Sequence, residues 1–135
     1  MNKESLGGKL ALEDALFDYE KLKHFLTDRI PVEIMLWKDK IMKNRSDAFA
    51  YSMVGMLSLH INEYNEAMKY LYKPIELEPE NARHWEQLAF AHEKQVNILR
   101  AIDYYKTVLQ KDYKRIGTLL HLAKCYSLLC KRGNW

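Results

Sequence analysis

The sequence predicts an all-α protein built from stacked helical repeats. When the chain is shifted against itself by 34 residues, large residues fall on large ones, aliphatic residues on aliphatic ones and small residues on small ones. The three matched sets are Tyr51, Trp85 and Leu119; Val54, Leu88 and Leu122; and Gly55, Ala89 and Ala123. A period of this length is typical of helical-hairpin arrays. Only five Gly and three Pro occur, which disfavours a sandwich or barrel with its many turns.

Helix start and stop signals fall at matching places in each period. Asp47 and Asn81 are predicted N-caps, because their side chains can accept from free backbone N–H groups of a first helical turn. Asn62-Glu63 and Val96-Asn97 are predicted to form the turn inside each hairpin, and Pro79 to end the first repeat.

This pattern resembles the tetratricopeptide repeat (TPR), a 34-residue helix–turn–helix unit. The matching residues are Tyr51, Val54, Gly55, Ser58, Ala67, Leu71 and Pro79, then Trp85, Leu88, Ala89, His92, Ala101, Tyr105 and Tyr113, then Leu119, Leu122, Ala123 and Tyr126. The resemblance implies a single-domain right-handed α-solenoid. Its first repeat is residues 48–81, its second is 82–115, and residues 116–135 are the first helix of a third, incomplete repeat that caps the array or forms an interface.

The first 47 residues match the repeat poorly but still read as helical. Residues 1–9 are predicted to be a flexible terminus and residues 10–47 an atypical N-terminal helical hairpin. The apolar residues of its first helix follow a 3.6-residue period; they are Leu12, Ala15, Leu16, Tyr19, Leu22 and Leu26. Pro31 suits the first turn of the second helix.

Pro74 falls inside the predicted second helix of the first repeat. It lacks a backbone N–H and its ring crowds the preceding turn. Two outcomes are open: a kink or early end near Tyr72–Lys73, or a proline tolerated late in the helix.

Composition argues against nucleic-acid and membrane partners. The net charge is +3, with basic residues interleaved among acidic ones rather than clustered. No stretch approaches 18 uncharged apolar residues, and no signal-peptide run opens the chain. Cys125 and Cys130 are five residues apart on one predicted helix, a spacing unsuited to a disulfide. Free thiols favour a cytoplasmic location.

No pattern of catalytic or metal-binding residues is found. His92-Glu93 begins like a zinc-protease motif, but Val96 stands where the second histidine belongs. The chain contains no glycine-rich phosphate loop. We therefore expect no enzymatic activity, no metal and no cofactor.

The resemblance implies a concave groove lined by the first helix of each repeat, where a protein or peptide partner binds. The predicted groove residues are Phe49, Met53, Met56, Leu59, Arg83, Gln87, Phe90, Lys94, Leu120, His121 and Lys124. Some relatives hold acidic tails of Hsp70 and Hsp90 heat-shock proteins through a clamp of Lys, Asn and Arg. The matching places here are Ser52, Met56, Gln87, Gly117 and His121, so no such binding is expected.

Three readings of this apolar set stay open. It is a groove for an apolar or amphipathic peptide, or it is covered by residues 10–28, or the helix faces are misassigned and these are core residues. The last helix is apolar nearly all round and needs cover. A homodimer through the C-terminal or N-terminal helices would supply it, as would a longer array of which this chain is a fragment.

The leading functional hypothesis is a protein-interaction scaffold or adaptor. Two alternatives remain: a chaperone for an apolar client, similar in architecture to type III secretion chaperones, and a structural subunit or fragment of a larger helical-repeat assembly.

Overall fold

The computed structural model describes residues 3–132, and this part of the chain forms six helices and no strand. The helices are α1 Lys3–Lys43, α2 Ala48–His60, α3 Tyr64–Leu77, α4 Ala82–Lys94, α5 Ile98–Lys111 and α6 Ile116–Arg132. The chain divides into two compact units, one ending at Glu33 and the other beginning at Ile34. The all-helical prediction is confirmed.

Helices α2 to α6 form a stack of helical hairpins. Helix α2 pairs with α3 and α4 pairs with α5, while α3 packs on α4 and α5 packs on α6. Helices α2, α4 and α6 begin at residues 48, 82 and 116, one repeat length apart. The two predicted N-caps are confirmed: Asp47 accepts from the N–H of Ala50, and Asn81 from the N–H of Arg83. The caps satisfy backbone groups that would otherwise have no partner, so they fix where each hairpin starts.

The turns inside the two hairpins share one geometry. Asn62 and Val96 both adopt positive φ, of 63° and 62°. In each turn the next residue's N–H donates to the fifth carbonyl back, Glu63 to Ser58 and Asn97 to His92, both at 2.9 Å. A β-branched residue at positive φ is uncommon, so Val96 is held there by the hairpin on either side of it.

Two apolar clusters make the core of the stack. The first lies between α2, α3 and α4 and consists of Leu59, Ala67, Leu71, Leu88 and Ala91. The second lies between α4, α5 and α6 and consists of Ala89, Ile98, Ala101, Ile102, Tyr105, Cys125 and Leu129. Small residues occur in both clusters because they let helix backbones approach, while the large residues fill the space left beside them.

Gly55 on α2 lies directly against Leu71 on α3. A Cβ at this position would lie 2.6 Å from Cγ and Cδ2 of Leu71 and 3.3 Å from the carbonyl oxygen of Ala67. Leu71 is 1% exposed, so it has no free space into which to move. The glycine is required by packing between α2 and α3, since a helix interior otherwise disfavours it.

The predicted N-terminal hairpin is wrong. One helix, α1, continues from Lys3 to Lys43 with Pro31 inside it. No glycine or asparagine flanks Pro31, so the residues needed to reverse the chain are missing and a proline alone does not make a turn. Residues 3–9, expected to be flexible, have helical backbone, and residues 1 and 2 lie outside the described part.

Helix α3 continues through Pro74 to Leu77, so the alternative of an early end near Tyr72–Lys73 is wrong, and the alternative of a proline tolerated late in the helix is correct. Pro74 is buried, and its carbonyl accepts from the N–H of Glu78 at 2.8 Å. Only the three residues up to Leu77 follow it within the helix, which limits the number of hydrogen bonds that it disturbs.

The C-terminal quarter of α1 belongs to the same unit as the repeats. Ile34 and Ile41 are buried, and the Trp37 ring meets the Phe49 ring edge-to-face with centroids 5.4 Å apart. Lys38 lies over the ring of Tyr70 at 5.5 Å. These residues therefore cover the first face of the α2–α3 hairpin.

The other unit, as far as its side chains are described, is a solvated helix. Residues 11–29 are exposed throughout. Across the described residues, no helix combines the length and apolarity needed to cross a membrane.

Substituting the two helical glycines should have opposite effects on stability. Gly55→Ala should lower the free energy of unfolding by about 1–2 kcal/mol, because the overpacking against Leu71 outweighs the gain in helix propensity. Gly117→Ala should raise it by about 0.5–1 kcal/mol, because nothing lies within 4 Å of its Cβ position. Denaturant unfolding measures both values. A Gly55→Ala variant at least as stable as Gly117→Ala would contradict this packing.

Candidate partner-binding surface

Helices α2, α4 and α6 bring several predicted groove residues to neighbouring positions. The Phe90 ring on α4 meets the His121 ring on α6 edge-to-face with centroids 6.0 Å apart. The Lys94 ammonium lies 5.7 Å from the centre of the Phe90 ring. Phe90 and Met56 are both partly buried and pack against the first core cluster. We call Met56, Phe90, Leu120 and His121 the inner face.

The carboxylate of Glu93 holds α6 against α4 and α5. The hydroxyl of Tyr105 on α5 donates to its Oε1 at 2.9 Å. From α6, Lys124 Nζ lies 3.1 Å from Oε2 and His121 Nδ1 lies 3.2 Å from Oε1. The side chain of Glu93 is only 6% exposed, so these contacts take the place of water around a buried charge.

The protonation states around Glu93 are shifted by these contacts. Burial alone would raise the pKa of Glu93, but the Lys124 ammonium and the Tyr105 hydroxyl outweigh it and lower the pKa below its ordinary value. Burial, together with the nearby Glu93 charge, raises the pKa of Tyr105 far above its ordinary value and that of Cys125 to about 11. The Cys125 thiol is therefore neutral, so it is a core residue and not a reactive one.

A second carboxylate joins α4 to the start of α6. Glu86 accepts from Arg115 Nε at 3.1 Å and Nη2 at 2.8 Å, a bidentate pair, and from the Thr118 hydroxyl at 2.6 Å. The Arg115 hydrogen bond is the largest effect on Glu86 and lowers its pKa, against the opposing effect of burial. Both glutamates thus hold α6, the first helix of the third repeat, in place.

A cleft of about 520 Å³ lies where the N-terminal ends of α2 and α4 meet. Phe49 and Arg83, two predicted groove residues, line it together with Ser52 and His84. His84 Nε2 lies 2.6 Å from Oε1 of Glu78. This hydrogen bond is the largest effect on the pKa of Glu78, which it lowers.

One predicted groove residue is wrong. Leu59 is 2% exposed and belongs to the first core cluster, so it cannot meet a partner. Leu59 lies on the side of α2 that faces α3 and α4. At this one position, the alternative that the helix face was misassigned is therefore correct.

The other predicted residues retain solvent exposure and stay candidates. Phe49, Arg83, Lys94, Leu120 and Lys124 are exposed, whereas Met53, Met56, Gln87, Phe90 and His121 are half-buried. Leu120 is 69% exposed. Phe49 lies against Trp37 on α1, whereas Phe90 lies against His121 on α6.

Sequence reasoning missed the role of Glu93. From the sequence, Glu93 stands out only beside His92, where the two residues begin like a zinc-protease motif. A usable signal was present: Glu93 follows the small core residue Ala89 by one helical turn, on the same side of α4. A glutamate on a core-facing stripe needs partners, and one repeat later Lys124 supplies one.

No protein-family model and no curated protein matches the chain. Solved structures with a similar fold do match the chain. The first TPR of Spaghetti (RPAP3), bound to the HSP90 peptide SRMEEVD, has a TM-score of 0.71 at 11% identity, over 86% of this chain and 92% of that one. The second TPR domain of human RPAP3, in complex with an HSP70 peptide, has a TM-score of 0.64 at 20% identity, over 69% and 78%.

The crystal structure of MamA is similar at a TM-score of 0.65 and 20% identity, over 70% of this chain and 51% of that one. The chain therefore spans about half the length of MamA. These likenesses confirm the predicted tetratricopeptide-like helical-repeat fold.

The ionised Glu93 carboxylate should make the free energy of unfolding decrease as the pH falls into the acid range. Its folded-state pKa is lowered, so the unfolded chain binds a proton more readily. The stabilisation it gives is present above the ordinary pKa near 4.5 and lost as pH falls through the lower folded value. Glu93→Gln should lose about 1–3 kcal/mol at pH 7 and show a shallower decline toward pH 3.

Denaturant unfolding at a series of pH values measures this effect. Glu63→Gln, at an exposed carboxylate on the α2–α3 turn, is the matched control and should keep the wild-type profile. Equal profiles for Glu93→Gln and wild type would contradict the role given to Glu93.

Proposed function

We propose that this chain is a non-enzymatic protein-interaction scaffold that holds an apolar or amphipathic peptide of a partner on the α2–α4–α6 side of the stack. The observation that carries the proposal is the inner face itself. Phe90 on α4 and Met56 on α2 are partly buried apolar residues packed on the same core cluster, Leu120 precedes His121 on α6, and the Glu86 and Glu93 networks hold α6 against α4. A preformed apolar surface with few mobile parts binds at low ordering cost.

The flanking residues suit such a partner. Lys94 is exposed, and its ammonium lies 5.7 Å from the centre of the Phe90 ring, where a long basic side chain can lie along a peptide and hydrogen-bond its carbonyl groups. Met53 and Met56 contribute flexible side chains that adapt to different apolar partners. This adaptability favours the finer version of the proposal, a chaperone for an apolar client in a cytoplasmic setting.

A structural role in a larger helical-repeat assembly is the second candidate. Leu119 and Leu120 are 49% and 69% exposed on α6, a surface on which a further repeat or subunit could pack. Scaffold and structural subunit differ in whether the surface exchanges partners in solution.

Truncating the inner face should weaken peptide binding. A peptide selected for binding to wild type from a random display library, titrated calorimetrically, should bind Met56→Ala/Phe90→Ala at least tenfold more weakly, because both apolar contacts are lost. Leu99→Ala is the control, because Leu99 is 63% exposed on α5 and lies outside the inner face. The affinity of this variant for the peptide should stay within twofold of the wild-type value. Equal losses for both variants would contradict the proposed site.

The peptide SRMEEVD, which is bound in the Spaghetti structure, should not bind this chain measurably at millimolar concentration. The clamp positions hold Ser52, Met56, Gln87, Gly117 and His121. None of them is a lysine or arginine that meets the terminal carboxylate, and Ser52 is also buried. Fluorescence anisotropy of the labelled peptide is the measurement. Micromolar binding that competes with the selected peptide would overturn this exclusion.

A further inference from the structure

The N-terminal unit presents an apolar helix face without cover in the described structure. Leu12, Leu16, Tyr19 and Leu22 are 57–63% exposed and Leu26 is 47% exposed. They recur every three or four residues, so they form one stripe along α1. Contiguous apolar surface of this kind marks an interaction site on a protein in water.

The charges along the same segment are divided into two halves. Residues 13–20 contain four acidic residues and no basic one; residues 21–29 contain Lys21, Lys23, His24 and Arg29 with one acidic residue, Asp28. Within the described part of the helix, Arg29 pairs with Glu33 at 3.1 Å, and the His24 imidazole lies 3.8 Å from the Asp28 carboxylate. Those pairs leave Asp14, Asp18 and Glu20 available to another molecule.

We propose that residues 12–29 pair antiparallel with the same segment of a second copy of this chain. Antiparallel pairing sets the acidic half of each helix beside the basic half of the other, whereas parallel pairing sets like charges together. The centre of the pair lies at the charge boundary, between Glu20 and Lys21. Tyr19 then meets Leu22 of the other copy, and Ala15 meets Leu26, a small residue opposite a large one.

The stripe is long enough for a helix pair. With Ala15 and the flanking Phe25 included, it has seven apolar side chains from Leu12 to Leu26, and a specific interface buries about 600 Å² or more on each partner. Phe25 is 60% exposed and lies at the edge of the stripe, where it can widen the contact. The pairing is independent of the proposed peptide site, because it uses only the unit that ends at Glu33.

The first test is the mass of the full chain by light scattering at tens of micromolar. Wild type should have twice the chain mass of 16.1 kDa, and Leu16→Glu/Leu22→Glu should have the mass of one chain with unchanged thermal unfolding of the repeats. Leu99→Glu, at an equally exposed leucine of α5, is the matched control and should stay dimeric. A monomeric wild type, or a dimer lost in Leu99→Glu or Leu120→Glu instead, would overturn the proposal.

The second test is the orientation of the two helices. In a Cys130→Ser background, spin labels at Asp14→Cys on one copy and Thr27→Cys on the other should lie close together in mixed dimers. Two labels at position 14 should be about 20 Å apart along the helix axis, the rise of 13 residues. The reverse result, with a close 14–14 pair and a distant 14–27 pair, would show parallel pairing and overturn the charge argument.

Discussion

The buried carboxylate of Glu93 is the interaction on which the repeat stack depends. It stands on α4, accepts from Tyr105 on α5, and contacts Lys124 and His121 on α6. Three helices from two successive repeats therefore share one charged group. Because a buried charge is costly without its partners, the arrangement of α4, α5 and α6 is specified together and not helix by helix.

The same network links the core to the surface that we assign to a partner. His121 stacks on Tyr105 with ring centroids 5.5 Å apart and also meets the Phe90 ring edge-to-face. One side of this imidazole therefore belongs to the core and the other to the inner face. A peptide seated on Phe90 would contact a side chain whose position is fixed by the buried carboxylate, so the binding surface is preorganised by the fold.

The sequence was sufficient to predict the repeat because the repeat is a local property. Side-chain size recurs at a period of 34 residues, from Gly55 to Ala89 and from Tyr51 to Trp85, and so do the caps Asp47 and Asn81. Recognising this period requires no knowledge of distant contacts. The predicted N-terminal hairpin is wrong because Pro31, which also suits a helix start, lies inside α1 with no glycine or asparagine beside it. A proline can lie within a helix when the flanking turns are helical, at a cost that local signals do not reveal.

The candidate site was less predictable, since it depends on which face of each helix turns inward. Leu59 and Met56 are both apolar and lie within one turn of α2, yet Leu59 is core and Met56 is half-exposed. The difference is set by the crossing of α2 with α3 and α4, a tertiary property. Glu93 was missed for the same reason: its partners Lys124 and His121 are about one repeat away in sequence.

The most direct test of peptide binding on the inner face is methyl NMR of the methionines during a peptide titration. Met53 and Met56 stand on α2 at predicted groove positions, and Met68 on α3 packs against the same core cluster as Met56. Binding on the inner face should shift the Met53 and Met56 methyl signals in proportion to occupancy and change Met68 far less. Saturable binding that shifts Met68 and leaves both α2 methyl signals in place would contradict the account.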